Sequence, residues 1–429
     1  MRKSITFILG VVMAASSCRN TDSDIIREVK VKGNILTEIN IDKIPDEARE
    51  MNLSEIFIDF SIIPLETNEN CLIGAYNKKV KIADGNIFFG FHGDNNPGIL
   101  LRFDSEGNFI NRIGTGGRGP GEHRGYDVHS IHPDEATNRV TVEWFGIIGD
   151  GPKTYEYDGT YIESISFPEI LLGGFYKWSE GEWFSTGNAT GNPEYPRDSL
   201  IVLFYNNKGE ITGRVPRSVY PEPVSNNYTP FGGINVFTIG DNYKLFTPES
   251  DTVYILNKEK LIPADVIHRG DDVMPYNKYV DPNSIIGKHD IEIIDETENN
   301  YLLMKSVITM ADLREYAPGR WGGMFDADHS LIVIDKKNYV ASYVKIVDDV
   351  FGILPEDPEY FFTIFRDIDE ERVSLPIDAI RFLKMVDESG VDLETLAAFS
   401  PSPERIKNIT TDSNPVIITF TLRDHIKLN

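Results

Sequence analysis

The sequence predicts an all-β chain folded as a six-bladed β-propeller, and three observations carry that prediction. A hairpin built of an apolar strand, an Asx/Gly turn and a second strand recurs at near-constant spacing. Strand-forming segments stand without a local partner at both ends of the chain. Helical periodicity is confined to one stretch near the C-terminus. The composition supplies a core for such a ring: 41% of the 429 residues are hydrophobic and 11% aromatic, which excludes disorder throughout.

The cleanest hairpin runs from Ile99 to Ile110 and turns at Asp104-Ser105-Glu106-Gly107. Others turn at Asp158-Gly159, at Asn206 to Gly209, at Asn257, and at Asp335 to Asn338. These residues tolerate left-handed backbone or bond their own main chain, which is what a hairpin turn requires. Measured between the leading Asx residues, the steps are 54, 48, 51 and 78 residues. The first three suit a four-stranded blade with its loops. Upstream strands are also legible: Val140, Val142 and Trp144 share one face, and Ile82 to Phe91 is an apolar run broken by Asp84-Gly85-Asn86.

Five hairpins leave a ring open. The sixth blade can be assembled from both termini, with Asn414 to Leu422 beside Ile56 to Phe60 and its continuation Ile62 to Thr67. That arrangement removes the free sheet edges at the closure. Between Pro355 and Ser413 the pattern turns helical: Ile377, Ile380, Leu383, Met385 and Val386 form a stripe after Pro376 that stops at Gly390, and Leu393 to Phe399 and Ser402-Pro403 start two short turns. The expected organisation is an export signal at 1–17, a tether at 18–34, and a propeller at 35–429 with a helical insertion at about 355–413, packed on the rim of the sixth blade or forming a small partner-binding lobe.

The signal is read from Met1-Arg2-Lys3, an apolar stretch from Ile5 to Ala15 too short to span a bilayer, and Ala15-Ser16-Ser17-Cys18. Small residues ending at a cysteine resemble the lipobox of bacterial lipoproteins, which implies acylation of Cys18. Without residues 1–17, which carry two positive charges and no negative ones, 412 residues remain with a formal net charge of −27. Such a chain, with no basic run, repels nucleic acid and anionic membrane surfaces, so nucleic-acid partners are excluded and the membrane is met by lipid anchor only. Cys71 would be the remaining thiol, a buried small side chain without an intramolecular disulfide partner.

Residues Ile113 to Glu122, Ile63-Pro64-Leu65-Glu66-Thr67, Ser250 to Tyr254 and Asn414-Pro415-Val416 together resemble the six-bladed β-propeller lipoproteins of Gram-negative bacteria, distant relatives of NHL-repeat propellers. The resemblance implies an outer-membrane lipoprotein on the periplasmic or cell-surface side whose biochemical role is generally unassigned; its NHL relatives mostly bind macromolecules and in a minority of cases catalyse.

Gly114 to Gly119 satisfies G-x-G-x-x-G, but Pro120-Gly121 follows where a dinucleotide site needs a helix, so an interblade connection is expected, with Arg118 and Glu122 bridging blades. Arg118, Glu122 and His123 are candidates for the channel mouth. Arg320 and Trp321, in the glycine-rich aromatic segment Tyr316 to Phe325, are the others. His129 and His132 would face opposite sides of a regular strand, which argues against a metal pair. Acidic turns at Asp271-Asp272, Asp295 to Glu298 and Asp367 to Glu371 lack calcium-loop spacing, so no metal or other cofactor is expected beyond a weak case for calcium. No catalytic motif is present. The function expected is a binding or scaffold module for an envelope protein or glycan. The alternative is a propeller enzyme acting on carbohydrate or lactone substrates at the channel mouth.

Overall fold

A computed structural model describes residues 25–31, 34–74, 78–93, 96–145, 151–165, 174–186, 200–216, 234–239, 242–246, 251–273, 286–317, 320–355, 368–369 and 372–428. Cys18 and the export signal lie outside the described residues.

Six β-sheets form the blades. Blade 1 comprises Lys79–Ala83, Asn86–Gly93, Asn96–Asp104 and Phe109–Ile113, and blade 2 comprises Asp127–Asp134, Arg139–Phe145, Lys153–Glu156 and Tyr161–Ser164. Blade 3 is built from Phe175–Ser179, Glu182–Thr186, Leu200–Asn206 and Ile211–Pro216. Blade 4 uses Asn235–Ile239, Asn242–Phe246, Thr252–Leu256 and Leu261–His268. Blade 5 holds His289–Glu296, Asn300–Ala317, Arg320–Asp335 and Val340–Val347. Blade 6 takes Ile368–Asp369, Arg372–Ile377 and Val416–Leu422 from the C-terminal end and Phe57–Pro64 from the N-terminal end. The closure is antiparallel, with Val416 opposite Pro64 and Leu422 opposite Phe57.

The N-terminal strand takes the outer edge of blade 6, which puts each blade's first strand at the axis. Each first strand starts on the face where blade-to-blade connections run and ends on the face of tight turns. We call these the connection face and the turn face.

The recurrent turns fasten the ring. The amide of Glu66, just after blade 6's outer strand, donates to Gly107 O in the last turn of blade 1 at 2.8 Å. A Cβ at Gly107 would sit 2.5 Å from Pro64 O, and its φ is +81°, so glycine is required there on both counts. Gly159 of blade 2 approaches the Arg112 carbonyl of blade 1, and Lys258 of blade 4 reaches Glu182 of blade 3 at 2.6 Å. The C-terminal segment closes over blade 5, where buried Asn300 bonds both the amide and the carbonyl of Ile426, at 2.8 and 2.9 Å. Cys71 is buried in the core between blades 6 and 1, and burial pushes its thiol up. Asn414 bonds the Cys71 carbonyl at 2.7 Å and the Glu66 carbonyl at 2.6 Å, which gives the Asn414-Pro415-Val416 motif its place in the closure.

The tether is shorter than 18–34: Ile26–Val31 pairs with Asn34–Asn40, which runs parallel to Leu261–His268 as an extra rim of blade 4. Arg49–Asn52 adds likewise to blade 5. Ile26, Leu36 and Ile39 are buried, so apolar burial draws in a segment whose charges suggested a linker. Within the expected insertion, Arg372–Ile377 pairs with Val416–Leu422 as a blade strand, and residues 356–367 lie outside the described residues. Among the described residues its helices are Ala379–Ser389, Leu393–Ala397 and Pro403–Lys407. Ala379, Phe382 and Met385 face inward against the core of blades 5 and 6, whereas Ile380 is 64% exposed. The insertion packs on the rim of the sixth blade, where the Phe399 carbonyl accepts from the Ile62 amide at 3.0 Å.

The long step before the fifth hairpin has a visible source. The second and third strands of blade 5 stay paired well past His289, from Ile308 opposite Ala327 to Ala317 opposite Arg320. At about 3.3 Å per residue this ribbon projects about 30 Å from the connection face.

Candidate axial site

Each blade's first strand carries polar residues where the ring leaves room at the axis. In blade 2 the sequence Asp127-Val128-His129-Ser130-Ile131-His132 buries Val128 and Ile131 against blade 1. Ser130, His132 and Asp134 share the other face. A bulge lies between Val128, opposite Trp144, and Ser130, opposite Glu143. The extra residue is His129, and the bulge brings its Nε2 to 4.0 Å from Glu143 Oε2. Ser130 Oγ lies 3.1 Å from the same carboxylate oxygen and 3.0 Å from His132 Nε2. The two histidines that a regular strand would separate therefore join one polar chain through Ser130 and Glu143. Among the described residues, no three His, Cys, Asp or Glu side chains come together as a metal site.

Across the blade 2–3 boundary, Lys177 bonds Asp134 at 2.9 Å. The His132 ring meets Trp183 edge to face at 5.5 Å. Burial is the main cause that lowers the His132 pKa to about 3, and Lys81 and Lys177 act in the same direction. Burial also pushes Glu143 up to about 7, with a hydroxyl donated by Ser130 as the opposing influence. Tyr176 is raised to about 12, first by burial and then by the nearby Glu143 charge.

Where the first strands end, an axial opening of about 440 Å³ lies on the turn face. Its polar wall includes Lys81, His132, Lys177 and Asp295, and its aromatic wall includes Tyr176, Trp178 and Tyr243. Trp178 and Tyr243 stack at 5.8 Å. Glu143, opposite Ser130 and one strand repeat inward from His132, lies beneath this opening. A second cavity, of about 360 Å³ beside Met304, Lys305, His329 and Tyr343, sits on the flank of blade 5 away from the axial residues.

The residues expected at the channel mouth are not among those lining the turn-face opening. Arg118 is exposed on a loop whose Thr115–Gly116 pairs with Glu122–His123. That loop lies against Trp144, Tyr155 and Tyr161 of blade 2, with Tyr155 donating to Gly121 O at 2.9 Å. Glu122 turns back to accept from the Gly119 amide at 2.6 Å, and buried His123 stacks on Trp144 at 3.4 Å. Arg320 and Trp321 stand at the end of the blade 5 ribbon. The acidic turns have structural partners: Asp272 pairs with Lys288 at 2.7 Å, and Glu296 is buried between two lysines. Asp367, Glu370 and Glu371 lie outside the described residues.

Sequence reasoning missed Lys81, Ser130, Glu143, Tyr176 and Lys177. The available signal was polar alternation in strands whose ring position calls for partners on both faces.

A family model described as a domain of unknown function, DUF4934, matches residues 36–421. The chain belongs to that family. No curated protein sequence matches it. Among solved structures, a Bacteroides fragilis NCTC 9343 protein whose name marks it as exported is similar at 14% identity and a TM-score of 0.59, covering 90% of this chain and 99% of the other. At that identity the DUF4934 chain shares a fold with it. The Bacteroides ovatus xyloglucan PUL protein GH43B aligns at 9% identity and a TM-score of 0.30, over 68% of this chain and 57% of that one, which is too little to support an argument.

Proposed function

We propose that this DUF4934 protein is an exported, envelope-held propeller that binds a glycan in its axial opening. The opening itself carries the reading: about 440 Å³ with aromatic faces on one side and hydrogen-bonding groups on the other. Saccharides present apolar ring faces and hydroxyl edges, and an opening of this size accepts one or two units. Export and acylation at Cys18 are supported by the Met1 to Cys18 pattern, and export also by the name of the Bacteroides fragilis protein. The kinship with lipoprotein propellers rests on the motifs at 63–67, 113–122 and 414–416.

A glycan array probed with residues 19–429 tests the binding. Trp178→Ala is expected to weaken any hit at least tenfold, as loss of a stacking face should. Unchanged binding by that variant would remove the axial opening from the proposal. Cys18→Ala is expected to move the protein into the soluble fraction, and continued sedimentation with membranes would refute the anchor.

The enzymatic alternative draws on one arrangement, the Glu143 carboxyl bonded to Ser130 at 3.1 Å with His129 at 4.0 Å, which burial pushes up to about 7. It predicts that oligosaccharides or lactones incubated with the protein are converted, and that Glu143→Gln abolishes the conversion.

A further inference from the structure

The blade 5 ribbon runs out beyond its neighbours. Its first strand of the pair, Asn300–Ala317, is flanked as far as Ile308, whose amide donates to Lys288 O and whose carbonyl accepts from the Gly287 amide. The other, Arg320–Asp335, is flanked by Val340–Val347 over residues 331–335. Past those points no third strand joins the two among the described residues, and their sequence there includes Met310, Leu313, Tyr316, Trp321, Met324 and Phe325. A two-stranded ribbon is marginally stable in water and gains from a further strand.

The two edges of the ribbon differ. On Asn300–Ala317, bulges leave Thr309 and Tyr316 without a residue opposite, one towards each end of the free length. Bulges bend an edge out of regular pairing and so blunt it. Arg320–Asp335 keeps an unbroken register along its whole length, which makes its edge the regular one. It also carries Gly322-Gly323, and glycines inside a strand mark a place where another backbone can approach closely. The segment Arg320-Trp321-Gly322-Gly323-Met324-Phe325-Asp326 is complementary to itself. Laid antiparallel on a second copy about a twofold axis at Gly323, Arg320 stands opposite Asp326 and Trp321 opposite Phe325, each pair occurring twice. A slip of one residue either way sets Arg320 opposite Phe325 or Ala327 and loses both pairings.

We propose that two copies of this chain join through their blade 5 ribbons, by antiparallel pairing of residues 320–326 into one four-stranded ribbon. The lengths fit this. Gly323 is four residues from Ala327, which lies opposite Ile308 where the ribbon leaves blade 5, so the two bases stand about 26 Å apart at about 3.3 Å per residue. Each Arg320 end reaches Asp326 of the second copy, one residue short of its base, so the pairing uses nearly the whole free edge without bringing the discs together. Both bodies are acidic, but that separation is about three times the screening length of about 8 Å at physiological ionic strength. The axial opening lies on the turn face and the ribbon on the connection face, so the pairing stands or falls apart from the glycan reading.

Sedimentation velocity of residues 19–429, in a concentration series reaching about 100 μM, tests this and is expected to show a monomer–dimer equilibrium. Arg320→Glu and Asp326→Arg should each weaken the dimer at least tenfold, because each sets like charges opposite one another twice. Both substitutions in one chain should restore it, and mixing the two single variants should give a heterodimer, since opposite signs meet again in both cases. Gly323→Cys, at the twofold axis, should cross-link two copies on oxidation, whereas Ile380→Cys, exposed on the helical insertion, should not. Native Cys71 is buried and takes no part. Thermal melting at the native temperature shows that the variants fold. A monomer at every concentration would overturn the proposal. A dimer indifferent to either charge reversal would lie elsewhere on the molecule and overturn it equally. Failure of the doubly substituted chain to recover, or of a Gly323→Cys dimer to cross-link, would overturn the register about Gly323.

Discussion

The blade 4–5 and blade 2–3 boundaries both bury ionisable side chains, and they treat them oppositely. Between blades 4 and 5, Lys244 pairs with Asp265 at 3.2 Å and Glu296 at 2.8 Å, and Lys336 meets the same Glu296 oxygen at 2.7 Å. Tyr301 donates to Asp265, and the Lys336 ammonium lies 4.6 Å from the Tyr301 ring centre. Two cations answer two carboxylates, away from water. Between blades 2 and 3, the Glu143 side chain is 24% exposed, and among the described residues no lysine or arginine bonds its carboxyl, which accepts from Ser130 and has His129 Nε2 at 4.0 Å. Desolvation is offset by charge pairing in the first case and by retention of a proton in the second. The matched cluster serves the ring, and the unmatched carboxyl lies beside the axial residues Ser130 and His132.

Breaking the matched cluster should have the largest effect. Lys244→Ala strands Asp265 in a buried position, and we expect a loss of about 3–5 kcal/mol in denaturant unfolding. A loss below about 1 kcal/mol would mean that the cluster is wet.

The unmatched carboxyl predicts a slope. Between about pH 4.5 and 7 the native protein holds a proton on Glu143 that the unfolded chain has released, so stability falls as pH rises through that window. The total for this group is of order 3 kcal/mol. Glu143→Gln cannot titrate, so the difference between its unfolding-versus-pH curve and that of the native sequence isolates this term.

The smallest effect comes from a pair that is matched but wet. Arg139 and Glu156 meet at 3.2 Å across blade 2 with side chains 45% and 33% exposed. Arg139→Ala should cost about 0.5 kcal/mol, and a loss comparable to that of Lys244→Ala would show that pairing alone, without burial, sets the scale.

The turns and the closure were legible because their chemistry is local: Gly107 needs positive φ, and Val416 to Leu422 is apolar along its length and lacks a nearby partner. The helical stripe was legible in position but not in phase, since Ile380 looks like core and Phe382 takes that place. The axial site was hidden for a different reason. Lys81, Ser130 and Lys177 look like solvated residues until the ring places blades 1, 2 and 3 around one axis, and the His129 bulge breaks the two-residue period on which any facing argument depends. The rim strands at 26–52 were hidden because their pairing to blades 4 and 5 is parallel and spans more than 200 residues of sequence.

Those rim strands also decide how the body would bear a load. Ile26–Val31 is held by a ladder from Ile26 opposite Ile39 to Val31 opposite Asn34, and Asn34–Asn40 is held in turn by Leu261–His268. With a lipid at Cys18, residues 19–24 would separate the anchor from Ile25, whose carbonyl accepts from the Asn40 amide at 2.7 Å, a contour of at most about 22 Å. Tension drawn along the strand from that end meets the ladder in shear, so many hydrogen bonds resist at once instead of parting one by one. The disc would ride close to the bilayer on a short leash, with blade 4 as its mechanical foot.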